Sequence, residues 1–181
     1  HREHRRQVPA SVPCAVVTVS DTRDESTDRS GAFIRRALLK AGHPVVDHRI
    51  ITDDPPRIVS HLRALAAAAR ARVVLLSGGT GIAARDSTYE AVYGLLEKRL
   101  DGFGEIFRSL SYRQIGSAAM LSRAVAGIYR GMVIFSIPGS EDAVRLAMTR
   151  LILPELGHAA GLLAPRRHRM KKREPRHARS R

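Results

Sequence analysis

Val73-Val74-Leu75-Leu76-Ser77-Gly78-Gly79-Thr80-Gly81 is the stretch that decides how this chain folds. Four consecutive aliphatic residues leave no polar face, so the run reads as a strand covered on both sides, as strands of parallel sheets are. The strand feeds straight into a turn with two adjacent glycines and a third three positions after the first. Backbone amides in such a turn can approach an anion without Cβ interference, and Thr80 adds a hydroxyl donor. Ligands of open parallel sheets bind outside the carboxyl ends of strands, which is where this turn falls. Locally, a plain strand-to-helix turn has the same sequence, and both readings stand at this point.

The pattern repeats on either side. Upstream, Val12 to Ser20 is a near-continuous apolar run and reads as a buried strand. A polar loop over Asp21 to Arg29 follows, then Phe33, Ala37, Leu38 and Ala41 at helical spacing, stopped by Gly42 and Pro44. Val45 to Ile51 is a further strand. Asp53-Asp54-Pro55-Pro56 starts a helix, with an acidic cap for its free amides, and Ile58, Leu62, Leu65 and Ala69 form its apolar stripe. Downstream, Ser87-Thr88-Tyr89-Glu90 has the capping-box pattern, with Val92, Leu95 and Leu96 behind it. Phe103 to Leu110 predicts a helix, and Met120 to Ile128 a helical turn and a short strand. Met132 to Ile137 is a strand closed by Pro138-Gly139-Ser140. Val144, Met148 and Leu151 mark a helix ending near Pro154, with a last helix over Glu155 to Leu163. Strand and helix in alternation mean βαβ units, hence an α/β domain with a parallel sheet.

Gly79-Thr80-Gly81-Ile82-Ala83-Ala84 also fits the dinucleotide pattern G-x-G-x-x-A, with Asp101 near the acidic position. The fit is weak. A dinucleotide helix begins within the glycine motif, whereas the helix signal here is Ser87, and Asp101 follows a helix instead of a second strand. Asp86 is more informative. A carboxylate just beyond an anion-binding turn repels phosphate unless a cation such as Mg²⁺ lies between them. Asp53 and Asp54, after the preceding strand, are candidates for the same crevice. Capping is the commoner role for such residues.

Composition bounds the rest. The 181 residues include 44% apolar and 4% aromatic residues and no Trp, so the core is aliphatic. The net charge of +14 is concentrated at the ends. Nine of the sixteen residues from Arg166 to Arg181 are Lys or Arg. Three sections are expected: a basic arm over 1–11, a folded domain over 12–164 that carries any functional site, and a basic tail over 165–181 that is disordered and dispensable to that site. Basic ends attract anions without specificity, and no interleaved aromatics or nucleic-acid motif accompany them, so a specific nucleic-acid partner is not expected. Cys14 is the one cysteine, which excludes an intrachain disulfide and favours a cytoplasmic location. No apolar run is long enough to span a membrane. The eight histidines show no metal-ligand spacing. His48, His61 and His158 read as surface or packing residues.

Taken in order, several motifs make the chain resemble the MogA/MoaB family of molybdopterin adenylyltransferases from about Val12 to Leu163. They are Val19-Ser20-Asp21-Thr22, Asp28-Arg29-Ser30-Gly31, and Ser77 to Gly81 through Arg85-Asp86-Ser87-Thr88. Gly102-Phe103-Gly104-Glu105, Ala119 to Arg123, Ala126-Gly127 and Pro138-Gly139-Ser140 complete the set. The Asp-x-Ser-Gly and Ala-Ala-Met-Leu-Ser-Arg stretches place it nearer the MoaB branch.

The resemblance implies a three-layer αβα fold with a mostly parallel central sheet, assembled as a homohexamer or homotrimer. It implies adenylylation of molybdopterin by Mg-ATP, releasing pyrophosphate; the alternative is a non-catalytic molybdopterin carrier. Asp53 and Asp86 match the two acidic positions of active members and would be the catalytic and Mg²⁺-binding residues. Ser77, Gly78, Gly79, Thr80, Gly81 and Ser122 would bind the pterin and its phosphate. Ser20, Asp21, Arg123, Pro138, Gly139 and Ser140 would bind the nucleotide, although a structural ion pair is an equal reading for Arg123. Delivery to a molybdenum-insertion protein would follow. Tyr89 departs from the family's usual Pro, which implies a slightly altered loop.

Overall fold

Strand side chains alternate, and here the alternation sorts two cores onto opposite faces of one sheet. The computed structural model describes residues 9–163. Its strands are β1 (Cys14–Val19), β2 (Val45–Ile51), β3 (Val73–Ser77), β4 (Lys98–Arg99), β5 (Val125–Tyr129) and β6 (Met132–Ile137). They form one sheet in the order β2-β1-β3-β6-β5-β4. The helices are α1 (Arg29–Lys40), α2 (Pro55–Ala68), α3 (Thr88–Tyr93), α4 (Asp101–Ile115), α5 (Glu141–Ala147) and α6 (Leu153–Leu162). Cys14, Val16, Val73 and Leu75 face a core shared with Ile34 and Leu38 of α1, Phe107 of α4 and Leu156 of α6. Ala15, Val17, Val74 and Leu76 face the other core, with Ile58 and Leu62 of α2 and Val92 of α3. The sheet is thus the middle of three layers. Each fully buried leucine in these cores contributes about 1.5–3 kcal/mol.

The four strands β2, β1, β3 and β6 pair in parallel, while β5 and β4 complete the sheet antiparallel. The reason is the connection. Tyr129 and Met132 are paired across a two-residue turn whose residues, Arg130 and Gly131, have φ of 44° and 77°. Two residues with positive φ make a tight hairpin, and a hairpin joins only antiparallel strands.

Several local expectations give way to tertiary contacts. Asp54 precedes α2 but makes no side-chain capping bond; it lies 3.7 Å from Arg57. Ser87 precedes α3 without capping it through its side chain, and its hydroxyl donates to Asp53 instead. Leu95 and Leu96 lie beyond the short α3. Helix α4 runs on to Ile115, and Gly116–Leu121 form a 3₁₀ turn. Strand β4 has no apolar signal because both its residues are exposed. Pro154 does not end a helix. A π-helical turn over Met148–Ile152 lets the Leu153 N–H reach the Met148 carbonyl and carries α5 into α6. The wider turn accommodates proline in the first turn of α6. Of the expected terminal segments, residues 1–8 of the arm and the whole 165–181 tail lie outside the described residues.

The Asp-x-Ser-Gly motif has a clear role. Asp28 caps α1 by accepting from the Gly31 N–H at 2.8 Å and also accepts from the Thr18 hydroxyl at 2.6 Å. Ser30 donates to the Gly139 carbonyl at 2.9 Å, tying α1 to the loop after β6. Cys14 is fully buried, and burial pushes its thiol up to about 12, so it is an inert core residue.

His43 is buried and its Nδ1 accepts from the Val12 N–H at 3.2 Å. Desolvation lowers its pKa from the ordinary 6.5. A depressed folded-state pKa gives stability that is complete above the unfolded value and lost as pH falls through the folded one. We therefore expect the melting temperature to drop on acidification below about pH 6.5. His43→Asn, which keeps an acceptor but cannot be protonated, should flatten that dependence. Identical pH profiles for the two proteins in thermal melting would exclude His43 as the source.

Candidate active site

The glycine turn after β3 takes its shape from contacts on both sides. Gly78 has φ of 109°, and a Cβ there would collide with the Val19 carbonyl at the end of β1. Gly79 has φ of 62°, and a Cβ would strike the Thr88 hydroxyl and the Asp53 carboxylate beneath it. Side chains are excluded by backbone conformation and by space together.

The carbonyls of Gly79, Thr80, Gly81 and Asp86 are bonded. Thr88 N–H donates to the Gly79 carbonyl at 3.0 Å. Arg123 donates through Nε to the Thr80 carbonyl at 3.1 Å, and through one terminal nitrogen to the carbonyls of Gly81 and Asp86. Its other terminal nitrogen pairs with Glu90. Burial raises the Glu90 pKa, but the hydrogen bond and charge of Arg123 outweigh that and hold it below its ordinary value. The Arg123 guanidinium lies 4.9 Å from the centre of the Tyr89 ring, and Tyr89 stacks on Tyr93. The amides are in the opposite condition. Among the described residues the N–H groups of Gly79, Thr80 and Gly81 have no acceptor. A turn with its carbonyls captured and its amides uncommitted is suited to an anion.

These residues border a cavity of about 480 Å³ at the carboxyl ends of β1, β3 and β6. The structure brings ten sequence-predicted positions to it: Ser20, Gly78 to Gly81, Asp86, Ser122 and Pro138 to Ser140. Ser122 Oγ is buried there without a hydrogen-bond partner among the described residues. Asp86 Oδ2 accepts from the Ala83 N–H at 2.9 Å, and no described residue bonds its Oδ1.

Four predicted positions do not line the cavity. Ser77 is fully buried in β3. Asp21 accepts from the Asp53 N–H at 3.0 Å. Asp53 lies below the turn, where Oδ1 accepts from Ser87 N–H, Ser87 Oγ and Thr88 Oγ1 at 3.2, 2.8 and 3.2 Å. Arg123 spends its donors on the loop, so of its two sequence readings the structural one describes this geometry. Tyr89, expected to alter the loop, supports Arg123 through its ring face.

Other lining residues escaped sequence reasoning. Phe107, Ser111 and Ile115 of α4 reach the cavity, and Ser111 is buried. Their spacing of four was a usable signal that placing the helix end at Leu110 concealed. Arg23 also lines the cavity, and nothing in its polar loop singled it out.

The fold is a three-layer α/β domain with the glycine turn at the carboxyl ends of its strands. A family model described as "Probable molybdopterin binding domain" matches residues 15–158. The chain belongs to that family, on the MoaB side of the MoaB/MogA proteins of molybdenum cofactor biosynthesis. It is 53% identical over 157 residues to Molybdenum cofactor biosynthesis protein B of Halalkalibacterium halodurans, covering 86% of this chain and 92% of that protein. A crystal structure of a Molybdenum cofactor biosynthesis protein B is 51% identical with a TM-score of 0.83, over 87% of this chain and 98% of the other. The tungsten cofactor synthesizing protein MoaB from Pyrococcus furiosus is 38% identical with a TM-score of 0.78, over 87% and 99%. Among the described residues no helix is long and apolar enough to cross a membrane.

Removing Arg123 leaves three carbonyls without their donor, and hydrogen bonds to charged groups are worth about 1.5–3 kcal/mol each. Arg123→Met should speed amide hydrogen exchange across residues 78–88 by at least about tenfold. Exchange in β1 and β3 should not change. Arg123→Lys should not restore protection, because an ammonium cannot span the three carbonyls as a planar fork does. Unaltered exchange in Arg123→Met would contradict the clamp.

Proposed function

We propose that the chain catalyses Mg-ATP-dependent adenylylation of molybdopterin. A pterin phosphate oxygen attacks the α-phosphorus of ATP, the α–β bridging bond breaks, and pyrophosphate leaves as adenylyl-molybdopterin forms. The observation that carries this reading is the turn itself: three uncommitted amides and the unpartnered Ser122 hydroxyl border one cavity beside the Asp86 carboxylate. Preorganised donors of this kind stabilise developing phosphoryl charge without reorganising. Juxtaposition of the two substrates supplies much of the rest.

Mg²⁺ fits the residues present. Asp86 has a free carboxylate oxygen at the cavity, and among the described residues no cluster of three or more His, Cys, Asp and Glu is arranged to hold a metal alone. That matches an ion held by one carboxylate together with substrate phosphates. When bound, Mg²⁺ would offset the repulsion between the two polyanions. Asp86 is the residue to hold it. Asp53, engaged with Ser87 and Thr88, shapes the turn from below. That engagement also favours a second reading, a molybdopterin carrier that delivers the pterin without chemistry. The reaction needs no covalent protein nucleophile, and among the described residues no Cys or His lines the cavity. We place the protein in the cytoplasm, handing its product to a molybdenum-insertion protein.

A homohexamer, or failing that a homotrimer, accounts for the exposed apolar group at Tyr112, Ile115, Met120 and Leu121, which are 64%, 56%, 77% and 50% exposed. The small residues between Ile115 and Gly127 permit close approach of a second copy. Light scattering at micromolar concentration should find the oligomer, and a stable monomer would end this proposal.

Pyrophosphate release with Mg-ATP and molybdopterin separates catalyst from carrier. Asp86→Asn should lower turnover by at least about a hundredfold, as for loss of one electrostatic element of a transition state. Its melting temperature should hold, because the amide oxygen can still accept from Ala83. Asp53→Asn should lower turnover too, but with faster amide exchange over residues 78–88. Normal turnover in Asp86→Asn would remove it from the catalytic list, and no turnover in the unaltered protein would favour the carrier.

A further inference from the structure

The cavity has two charged side chains among its described lining residues, Asp86 and Arg23. They sit on different loops. Asp86 follows the glycine turn after β3, while Arg23 follows β1 and reaches the loop after β6, where it donates to the Gly139 carbonyl at 3.2 Å. The polypeptide fixes Arg23 at both ends. Its backbone N–H donates to Ser20 Oγ at 3.1 Å, and the Gly139 carbonyl that it holds is also bonded by Ser30.

Its charge, by contrast, is unpaired. Among the described residues no carboxylate lies within salt-bridge distance of Arg23. The neighbouring Asp24 is occupied, its Oδ1 accepting from the backbone and hydroxyl of both Ser26 and Thr27. A guanidinium has five donors in a fixed fork that matches phosphate, and one bond to a carbonyl leaves most of them for a ligand. Asp86 repels an anion at the loop after β3, and Arg23 attracts one at the loop after β1.

We propose that Arg23 receives the phosphate chain of the nucleoside triphosphate, the place that the sequence offers to Arg123. This rests on the adenylylation reading and goes beyond it by naming the cation and the loop that carries it. The glycine-turn amides are left for the pterin phosphate. Gly139 packs against Gly78, since a Cβ on Gly139 would lie 3.1 Å from the Gly78 Cα, so the two anion sites share a wall. Two phosphates brought together across that wall repel, and a cation on the nucleotide side lowers that repulsion. Arg23 supplies it without disturbing the turn, because Arg123 holds the turn separately.

The test is calorimetric titration of ATP, and separately of molybdopterin, into the full chain in about 0.15 M salt, which screens the basic ends. Arg23→Met should weaken ATP binding at least about tenfold, as expected for loss of a charge-assisted bidentate contact. Arg23→Lys should fall between, keeping the charge but not the fork. Molybdopterin binding should stay within about twofold, and KM for ATP should rise more than kcat falls. Arg36→Met, an arginine away from the cavity, is the control for general charge. Equal ATP affinity in Arg23→Met overturns the proposal while leaving adenylylation intact. Equal weakening of both ligands also overturns it, because Arg23 would then act only as a tether for the 138–140 loop. If the unaltered protein binds no ATP, this inference and the adenylylation reading fall together.

Discussion

Arg123 capturing the carbonyls of the turn after β3 is the interaction on which the site depends. Buried polar groups left unpaired are costly, so a turn that offers its N–H groups to a ligand is steadier when its carbonyls have partners elsewhere. Arg123 provides that partner for Thr80, Gly81 and Asp86, and Thr88 provides it for Gly79. Glu90 and the Tyr89 ring in turn hold Arg123. The carbonyls of Gly79, Thr80 and Gly81 are satisfied while the amides of the same three residues stay uncommitted. Rigidity of this kind lets a backbone turn act as an anion receptor without first reorganising.

The same economy explains the acids. Asp53 and Asp86 lie on either side of the turn but make different bonds. Asp53 accepts three hydrogen bonds from Ser87 and Thr88, and so fixes the start of α3 under Gly79. Asp86 accepts one, from Ala83, and borders the cavity. One therefore shapes the turn, while the other is free to meet charge. Opposite them, the Asp28–Ser30 motif and Arg23 converge on the Gly139 loop. The cavity is thus closed by two loops, each with its own support.

Departure from family habit at Tyr89 fits this arrangement. Proline would have preset the first turn of α3 through its φ. Tyrosine instead gives Arg123 an aromatic face and stacks on Tyr93, with Arg99 5.0 Å over that ring. Each such contact is worth roughly 0.5–1 kcal/mol at an exposed site. Support for the loop is supplied by packing where the usual residue would supply it by backbone restriction.

Local sequence determined the layers. Short, β-branched aliphatic runs bounded by glycine, such as Val73 to Leu76, read as strands covered on both faces, and the helical stripes between them supply the covers. It also located the turn, because adjacent glycines at a strand end have few other uses. What it could not determine was which partner each polar group would choose. Ser87 has the pattern of a helix cap yet bonds Asp53, thirty-four residues away in the chain. Arg123 looked as fit for a ligand as for an ion pair, and Arg23 looked like an ordinary loop residue. Hydrophobic periodicity is a local property, written at spacings of two to four residues. The bonds of Arg123, Asp53 and Arg23 that decide the site reach across more than thirty residues to other loops, so tertiary structure alone decided which charge holds the loop and which faces the cavity.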